Sequence, residues 1–478
     1  MNSQTKHFAK LVDLGRPVGE VVAVNNFLVQ IHGLQPVNRH ALVVFEDGSK
    51  GFVQHILEDR VLVLHFGNKQ LRVGALAAVQ YEALLTKVGK DYIGRVISVS
   101  GQPLDGKGAI AADEAWPIFG PAAPLNEREI LSKQLETGVS LIDGLFPIAQ
   151  GQRMALLGEA KSGKTTLATQ IAVNQKATDQ IVVYVLIAKP KSDIDTLVAR
   201  LNAAGALDKA IVVVSTIAES LAASYLAPYV GCALAEYLWQ KANQDTLIIY
   251  DDLTSHAQVY REIALLSGVS PGRDSYPGDM FYAHSSLLER SGRLRKNHAH
   301  LTAVPIGLAV GGDITAYLPT NIMSITDGQW ILDMELFRSG WRPAISQTLS
   351  VTRVGGRGQN DRQKTQAARL ATTLAAYREA QGYAQFGAGL SPVLSRALQK
   401  GSQLQGLFSQ AYFETYSPLA QQLMLDVVLD TTAADLDIAK LKKSAGQTAQ
   451  LLKSPDDYPR ILEELRHQVG IGGQKTNA

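Results

Sequence analysis

The sequence is poor in three things, and each shortage excludes something. It has a single cysteine, Cys232, in 478 residues, which rules out an internal disulfide and fits a reducing compartment. Its longest apolar stretch, Ile181 to Ala188, falls well short of the roughly 18 residues that a membrane-spanning helix requires. It has almost no excess charge. The 46 Lys plus Arg residues against 44 Asp plus Glu leave a net +2, too little for a chain whose main task is coating nucleic acid. The start, Met1 to Arg16, is polar without an apolar h-region or cleavage site, so no secretory signal is visible. What is present is ordinary globular material. Hydrophobic residues make up 46 % and charged residues 19 %, which excludes a disordered chain. The length is too great for one core, so several domains are expected in a soluble, intracellular protein.

Three zones follow one another. Over residues 1–83, short β-branched runs alternate with turn residues: Val21–Val24, Leu28–Ile31, Ala41–Phe45 and Val61–Phe66. Asp47-Gly48, between Val43-Val44-Phe45 and Gly51-Phe52-Val53, signals a hairpin. Such closely spaced strands suggest a small β-barrel or sandwich. Over residues 84–358, apolar runs alternate with helical stretches: Met154–Leu157, Ile181–Ala188, Ile211–Val214, Thr246–Tyr250 and Leu301–Ile306. Continuous Val/Ile/Leu runs spaced by helices predict a parallel sheet buried on both faces. Residues 359–478 have helical periodicity. Leu370, Leu374 and Tyr377 share one face, and Leu419, Leu423, Met424 and Val427 another. Gly382 and Pro392 punctuate this zone, and the Gly-rich end after Val469 is expected to fray.

Gly158-Glu159-Ala160-Lys161-Ser162-Gly163-Lys164-Thr165 follows one apolar run and opens a helix-forming run at Thr166. This is G-x-x-x-x-G-K-[ST] in a strand–loop–helix setting, a phosphate-binding loop. The glycines let backbone N–H groups curl around phosphate, and the helix adds its dipole. Lys164 reaches the outer phosphates, and the Thr165 hydroxyl is a candidate Mg²⁺ ligand. Thr246 to Asp252 is an apolar strand ending in acid, which makes Asp251 the second candidate on the metal side. ATP or ADP with Mg²⁺ is the expected cofactor.

Several long segments then resemble the α subunit of F-type ATP synthases. They are Glu136-Thr137-Gly138 through Gly151-Gln152-Arg153; Tyr225-Leu226-Ala227-Pro228-Tyr229; Leu247 through Leu253; Tyr276 through Tyr282; Leu287-Leu288-Glu289-Arg290; Pro319-Thr320-Asn321 through Gly328-Gln329; and Ser350-Val351-Thr352-Arg353-Val354-Gly355-Gly356. The resemblance runs from about Gly19 to Pro418. It implies an N-terminal β-barrel, a central RecA-like α/β P-loop nucleotide-binding domain and a C-terminal α-helical bundle, matching the three zones. It also implies that Arg353 acts in trans as an arginine finger in a neighbouring β subunit, where such a group is worth about 10³–10⁵ in rate. Ser324 matches a residue at the same interface, and Arg342-Pro343 matches a segment lining the adenine pocket. The implied partners are β subunits in an alternating hexamer, the central-stalk γ subunit and the peripheral-stalk δ subunit. Nucleic acid is not among them, and the membrane is met only through the complex. Ala384-Gln385-Phe386-Gly387 matches a segment near the rotating shaft.

Lys189 separates this chain from a hydrolytic subunit. Catalytic relatives carry a Glu there, to orient and deprotonate the attacking water, and α subunits usually carry Gln. An ammonium cannot act as a base near neutral pH, so the site is expected to hold nucleotide without turning it over. Lys161 and Ala160 also depart from the α pattern, as do Leu308-Ala309-Val310 and a lengthened loop at Tyr412-Phe413-Glu414-Thr415. Lys161 and Lys189 are expected to make nucleotide retention less dependent on Mg²⁺. About eighteen residues precede Gly19, and the helix-like Thr5–Leu14 is an abbreviated candidate for the stalk contact. A homohexameric P-loop motor, of the secretion-ATPase or RNA-translocase kind, would need a catalytic Glu in the chain. A solitary nucleotide-sensing scaffold would not need Arg353. His256, His284, His298 and His300 lack metal-ligand spacing, Cys232 is expected in a core, and Arg293–His300 reads as a solvated basic loop.

Overall fold

The computed structural model describes residues 3–67, 71–385, 391–431, 436–452 and 454–471. The chain divides into two compact units. One comprises Met1–Glu129, Asp179–Leu308 and Ile314–Ile325; the other comprises Ile130–Thr178, Ala309–Asp313 and Thr326–Ala478.

The first unit begins with helix α1 (Ser3–Asp13) and six strands: β1 (Val18–Asn25), β2 (Leu28–His32), β3 (Leu42–Phe45), β4 (Lys50–Ile56), β5 (Val61–His65) and β6 (Leu76–Tyr81). They close into an antiparallel barrel in the order β1-β2-β5-β4-β3-β6, which settles the choice between barrel and sandwich. The period-2 alternation of a strand is visible along β3. Val43 and Phe45 join the barrel core with Val29, Ile31, Val53 and Val63. Val44 packs instead with Ala78 and with Phe8 and Leu11 of α1. Phe8 and Leu11 of the N-terminal helix are thus covered by the barrel itself. The hairpin forms at the expected turn, with Gly48 at φ +84° and Asp47 Oδ1 accepting the Ser49 N–H at 2.8 Å.

The same unit carries a parallel sheet of strands Arg95–Ser98, Ala210–Thr216, Ile181–Lys189, Thr246–Asp251 and His300–Leu308, in that spatial order. Ile181–Lys189 is buried over its first seven residues and Thr246–Asp251 over its whole length, as a sheet covered on both faces demands. Cys232 lies in the helix Leu221–Gln240 and is buried. The segment expected to be a solvated basic loop is exposed at Arg295, Lys296 and His298 but built in at its two ends. Arg293 is buried, pairs with Glu129 at 2.9 Å, and belongs to a short strand paired with His300. Its charge is matched by the acid, so burial is tolerated.

In the second unit, strand Ala155–Gly158 runs parallel to Gly328–Leu332, with Gly158 opposite Leu332, and Val351–Thr352 pairs antiparallel to the latter. The C-terminal region is helical: Asp361–Gln385, Pro392–Phe408, Pro418–Asp430, Ile438–Ala449 and Tyr458–Gln468. Two of these helices start on Ser-Pro pairs. Ser391 and Ser417 accept from the N–H groups of Leu394 and Ala420, while the proline fills the first helical position, where its missing N–H costs nothing. Leu370, Leu374, Tyr377, Leu423, Met424 and Val427 are buried as their spacing predicts. Gly382 does not break its helix. It is carried inside Asp361–Gln385, because a single glycine costs a helix only about 1 kcal/mol. Phe386 and Gly387 of the proposed shaft-facing segment lie outside the described residues. Among those described, no helix is long and apolar enough to cross a membrane. The architecture is therefore an N-terminal six-stranded antiparallel barrel, a central α/β region and a C-terminal helical region, as the sequence predicts.

Candidate functional site

The strand Ala155–Gly158 ends in the phosphate loop, and the helix Lys164–Asn174 begins from it. Gly163 has φ +99°, a left-handed conformation that an L side chain adopts only with strain. It sits at the helix N-cap, where the free N–H groups and the dipole favour an anion. The Lys164 ammonium donates to the loop's own Gly158 and Glu159 carbonyls at 2.9 and 2.6 Å. Lys161 is exposed on the loop and Thr165 in the first turn of the helix, and Ser162 is buried.

Lys161, Ser162, Gly163, Lys164, Thr165 and Thr166 line a cleft of about 520 Å³, and Arg342 and Pro343 line it too. Gly158, Glu159 and Ala160 form the incoming half of the loop and are not among the lining residues. The volume suits a nucleotide-sized ligand. The cleft is also lined by residues that sequence reasoning did not single out: Gln170, Leu332, Phe337 and Gln410. The helix Met334–Arg338, capped by Asp333 accepting from Glu335 and Leu336 N–H, carries Phe337. The Arg342 guanidinium lies 3.6 Å from the Phe337 ring centre and donates to the Phe337 and Trp341 carbonyls. Tyr412, from the lengthened loop, lines it as well. No local pattern could mark Gln410, whose partners Gly138 and Ser140 lie some 270 residues away.

Arg353 follows the short strand Val351–Thr352. Its backbone is fixed by a bond from its N–H to the Asp327 carbonyl at 3.0 Å, and Asp327 is itself clamped by Arg153 through two bonds of 3.0 and 2.8 Å. The Arg353 side chain is exposed and donates to the Thr326 carbonyl at 3.0 Å. Among the described residues no carboxylate lies within 4.0 Å of it. Ser324 is exposed on the helix Tyr317–Ile325, its hydroxyl donating to the Thr320 carbonyl at 2.8 Å.

In the first unit, Asp251 ends its strand buried. Its Oδ1 lies 2.8 Å from Lys189 Nζ, and its Oδ2 accepts from the Tyr184 hydroxyl at 3.1 Å. Lys189 Nζ also lies 2.8 Å from Asp252 Oδ2. Burial works against the Lys189 ammonium, but the two carboxylates outweigh it and raise its pKa above the usual lysine range. Lysine here is therefore a fixed cation. Thr165, exposed in the first turn of the helix Lys164–Asn174, fits the part of an Mg²⁺ ligand. Asp251 fits it less well, since both of its oxygens already hold protein partners, one of them an ammonium that it shares with Asp252. Among the described residues no group of three or more His, Cys, Asp or Glu could hold a metal. His256 and His284 bond to each other at 3.3 Å.

A phosphate loop opening a helix beneath a cleft of nucleotide size defines a nucleotide-binding protein of the P-loop class. Comparison with known proteins narrows the class. Residues 138–352 match the ATP synthase alpha/beta family, nucleotide-binding domain, and residues 359–477 match the ATP synthase alpha/beta chain, C terminal domain. The chain belongs to the ATP synthase alpha/beta family. It is similar to ATP synthase subunit alpha of Helicobacter pylori (strain P12), 38% identical over 475 residues that cover 98% of this chain and 93% of that one. It is likewise similar to the subunit alpha of Helicobacter acinonychis (strain Sheeba), 38% identical with 97% and 92% covered. The subunit alpha of Caldanaerobacter subterraneus subsp. tengcongensis is also 38% identical, with 94% and 89% covered.

Proposed function

We propose that this chain is a nucleotide-binding, non-catalytic α subunit of a rotary F-type ATP synthase. The observation that carries the reading is Lys189, a fixed cation 2.8 Å from both Asp251 and Asp252, at the position where hydrolysis requires a carboxylate base. The chain on its own holds ATP or ADP and does not hydrolyse it. The loop residues Gly158, Glu159, Ala160, Lys161, Ser162, Gly163, Lys164, Thr165 and Thr166 cradle the phosphates, with Arg342 and Pro343 at the base. Thr165 is the Mg²⁺ ligand on the phosphate-loop side, and Asp251, the other candidate, is engaged by Lys189.

Arg353 is the finger lent to a neighbouring β subunit. An exposed guanidinium with no acid partner among the described residues is available to neutralise charge developing on a transferring phosphoryl group. Ser324 belongs to the same interface. The partners are β subunits alternating with this chain in a hexamer, the γ subunit of the central stalk and the δ subunit of the peripheral stalk. The complex couples ATP synthesis or hydrolysis to transport of protons or sodium ions. The chain sits peripherally on the cytoplasmic face of a bacterial membrane, organised as barrel 1–83, nucleotide-binding domain 84–358 and helical domain 359–478.

Co-purification tests this. The expected result is a complex with a β-type subunit whose ATPase activity appears only when both chains are present. Robust ATP hydrolysis by this chain alone would overturn it.

A further inference from the structure

We propose that Asp143, which does not itself line the cleft, is a positioning residue for the wall that Gln410, Ala411 and Tyr412 form. This rests on the nucleotide-binding reading above and deepens it.

Thr137-Gly138-Val139 makes a turn before the helix Ser140–Leu145, with Gly138 at φ +73°. A side chain at Gly138 has no room, since a Cβ there would lie 2.4 Å from Asn174 Oδ1 and 2.8 Å from Thr415 Cβ. The helix has no side-chain cap at Val139. Asp143, buried in the first turn, folds back instead. Its Oδ1 accepts the Thr137 N–H at 3.1 Å and the Thr137 hydroxyl at 2.7 Å, and its Oδ2 accepts the Gly138 N–H at 3.0 Å. Burial pushes the Asp143 pKa up to about 6 against these donors, so the carboxylate is ionised at neutral pH and above. Bonds to an ionised acceptor are the stronger kind, and here they set the turn.

The other side of the same turn carries the loop that lines the cleft. The Gly138 carbonyl accepts from Gln410 Nε2 at 3.0 Å and from the Tyr416 N–H at 3.1 Å. The Ser140 N–H donates to Gln410 Oε1 at 2.7 Å. Both ends of the Gln410 amide are thereby hooked to one turn. The far end of the loop returns to the same carboxylate: Gln421 Nε2 donates to Asp143 Oδ2 and to the Tyr416 carbonyl, both at 2.9 Å. Ala411 and Tyr412 lie between these two attachments. The phosphate side of the cleft, Lys161 through Thr166, comes from a different segment.

Asparagine at 143 keeps the shape but turns an N–H₂ toward groups that are themselves donors, so Thr137, Gly138 or Gln421 loses its acceptor. A merely structural acid would lower stability and leave ligand binding by the folded chain unchanged. A positioning acid changes the hold on the nucleoside while the hold on phosphate stays, and only while Gln410 is there to transmit it.

Calorimetric titration of the full-length chain with ATP and with inorganic tripolyphosphate, below the unfolding transition of each variant, tests this. Asp143→Asn is expected to weaken ATP about tenfold and to keep tripolyphosphate within about threefold of wild type. In a Gln410→Ala background the same substitution is expected to cost ATP less than about threefold more, whereas independent effects would multiply to about a hundredfold. Unchanged ATP affinity in Asp143→Asn, an equal loss of tripolyphosphate, or multiplying losses in the double variant overturns the proposal. Should Asp143→Asn fail to fold, Gln421→Ala removes a single donor from the carboxylate. It is expected to weaken ATP about fivefold with tripolyphosphate unchanged, and unchanged ATP affinity there overturns the proposal. If neither probe binds the wild-type chain, the nucleotide-site reading itself fails, a result distinct from Asp143→Asn leaving ATP binding as it was.

Discussion

Lys189 Nζ lies 2.8 Å from Asp251 Oδ1 and 2.8 Å from Asp252 Oδ2, so the end of one strand offsets one of the two negative charges at the acidic end of its neighbour. The two strands run parallel, with Leu186 opposite Asp251, which brings the lysine three residues further on beside the acids. Divalent cations bind carboxylates whose charge is available. Here an internal ammonium shared by the two carboxylates already offsets part of it, and displacing a partly buried ion pair is costly.

The first prediction concerns divalent-cation dependence. Wild-type chain is expected to keep its affinity for ATP within about threefold when Mg²⁺ is removed with EDTA. Lys189→Gln, which leaves the two carboxylates unpaired, is expected to lose about tenfold or more, because cation binding then supplies the missing charge. Fluorescent-nucleotide titrations with and without EDTA measure both. Complete release of nucleotide from the wild type on EDTA treatment contradicts the idea.

Arg353 gives a prediction with an internal control. Its side chain is exposed and donates to the Thr326 carbonyl. Arg353→Ala is therefore expected to change the stability of the isolated chain by less than about 0.5 kcal/mol and its nucleotide affinity little. In the complex with a β-type subunit, the same substitution is expected to raise the barrier by at least ~2 kcal/mol, about thirtyfold in turnover. Unchanged turnover in the mixture would remove the finger reading.

Much of this was legible in the sequence because the decisive signals are local. Each of the five central apolar runs falls on a strand, four of them wholly inside it and Met154–Leu157 shifted one residue to Ala155–Gly158, because continuous Val/Ile/Leu segments carry their own burial pattern. The phosphate loop is legible for the same reason: eight consecutive residues specify it. What was not legible depends on distant partners. The role of Gln410 is set by Gly138 and Ser140, and the burial of Arg293 by Glu129. The pairing of Asp251 with a lysine some sixty residues earlier requires the strand order, which no local period encodes. Gly382 was misread as punctuation because propensity is a weak term against a long helix that buries Leu370, Leu374 and Tyr377.

Gly355 yields a prediction about how Arg353 is held. A Cβ at Gly355 would lie 1.7 Å from the Pro147 carbonyl oxygen and 2.6 Å from Thr352 Oγ1. Thr352 Oγ1 itself donates to that same carbonyl at 2.8 Å. Gly355→Ala must therefore push the backbone beside Arg353 out of place, at roughly 2–4 kcal/mol. Gly356→Ala meets nothing within 4 Å and is expected to be tolerated. Thermal unfolding of the two variants side by side checks the contrast. Equal stabilities would show that the close approach to Pro147 does not constrain this turn.

The last prediction is a pH dependence of stability centred on His256. Its ring is fully buried, stacked on Tyr225 with centroids 5.4 Å apart. Nε2 lies 3.1 Å from the Tyr225 carbonyl, an acceptor, so that nitrogen carries the proton. Nδ1 then accepts from His284 Nε2 at 3.3 Å. Burial lowers the pKa of His256 to about 4, with the Tyr225 carbonyl opposing, and burial together with His256 holds His284 well below the usual range. Both rings are thus neutral in the fold, while the unfolded chain titrates near pH 6.5. Below about pH 6.5 the unfolded state takes up protons that the folded state refuses, so the stability present above that pH is lost as pH falls toward about 4. For His256 alone the loss approaches roughly 3 kcal/mol. His256→Gln, which keeps a donor for the Tyr225 carbonyl and removes the titration, is expected to unfold with a smaller drop in midpoint between about pH 7 and about pH 5 than the wild type. Urea unfolding at both pH values measures it, and an equal drop in the two proteins would place the acid sensitivity elsewhere.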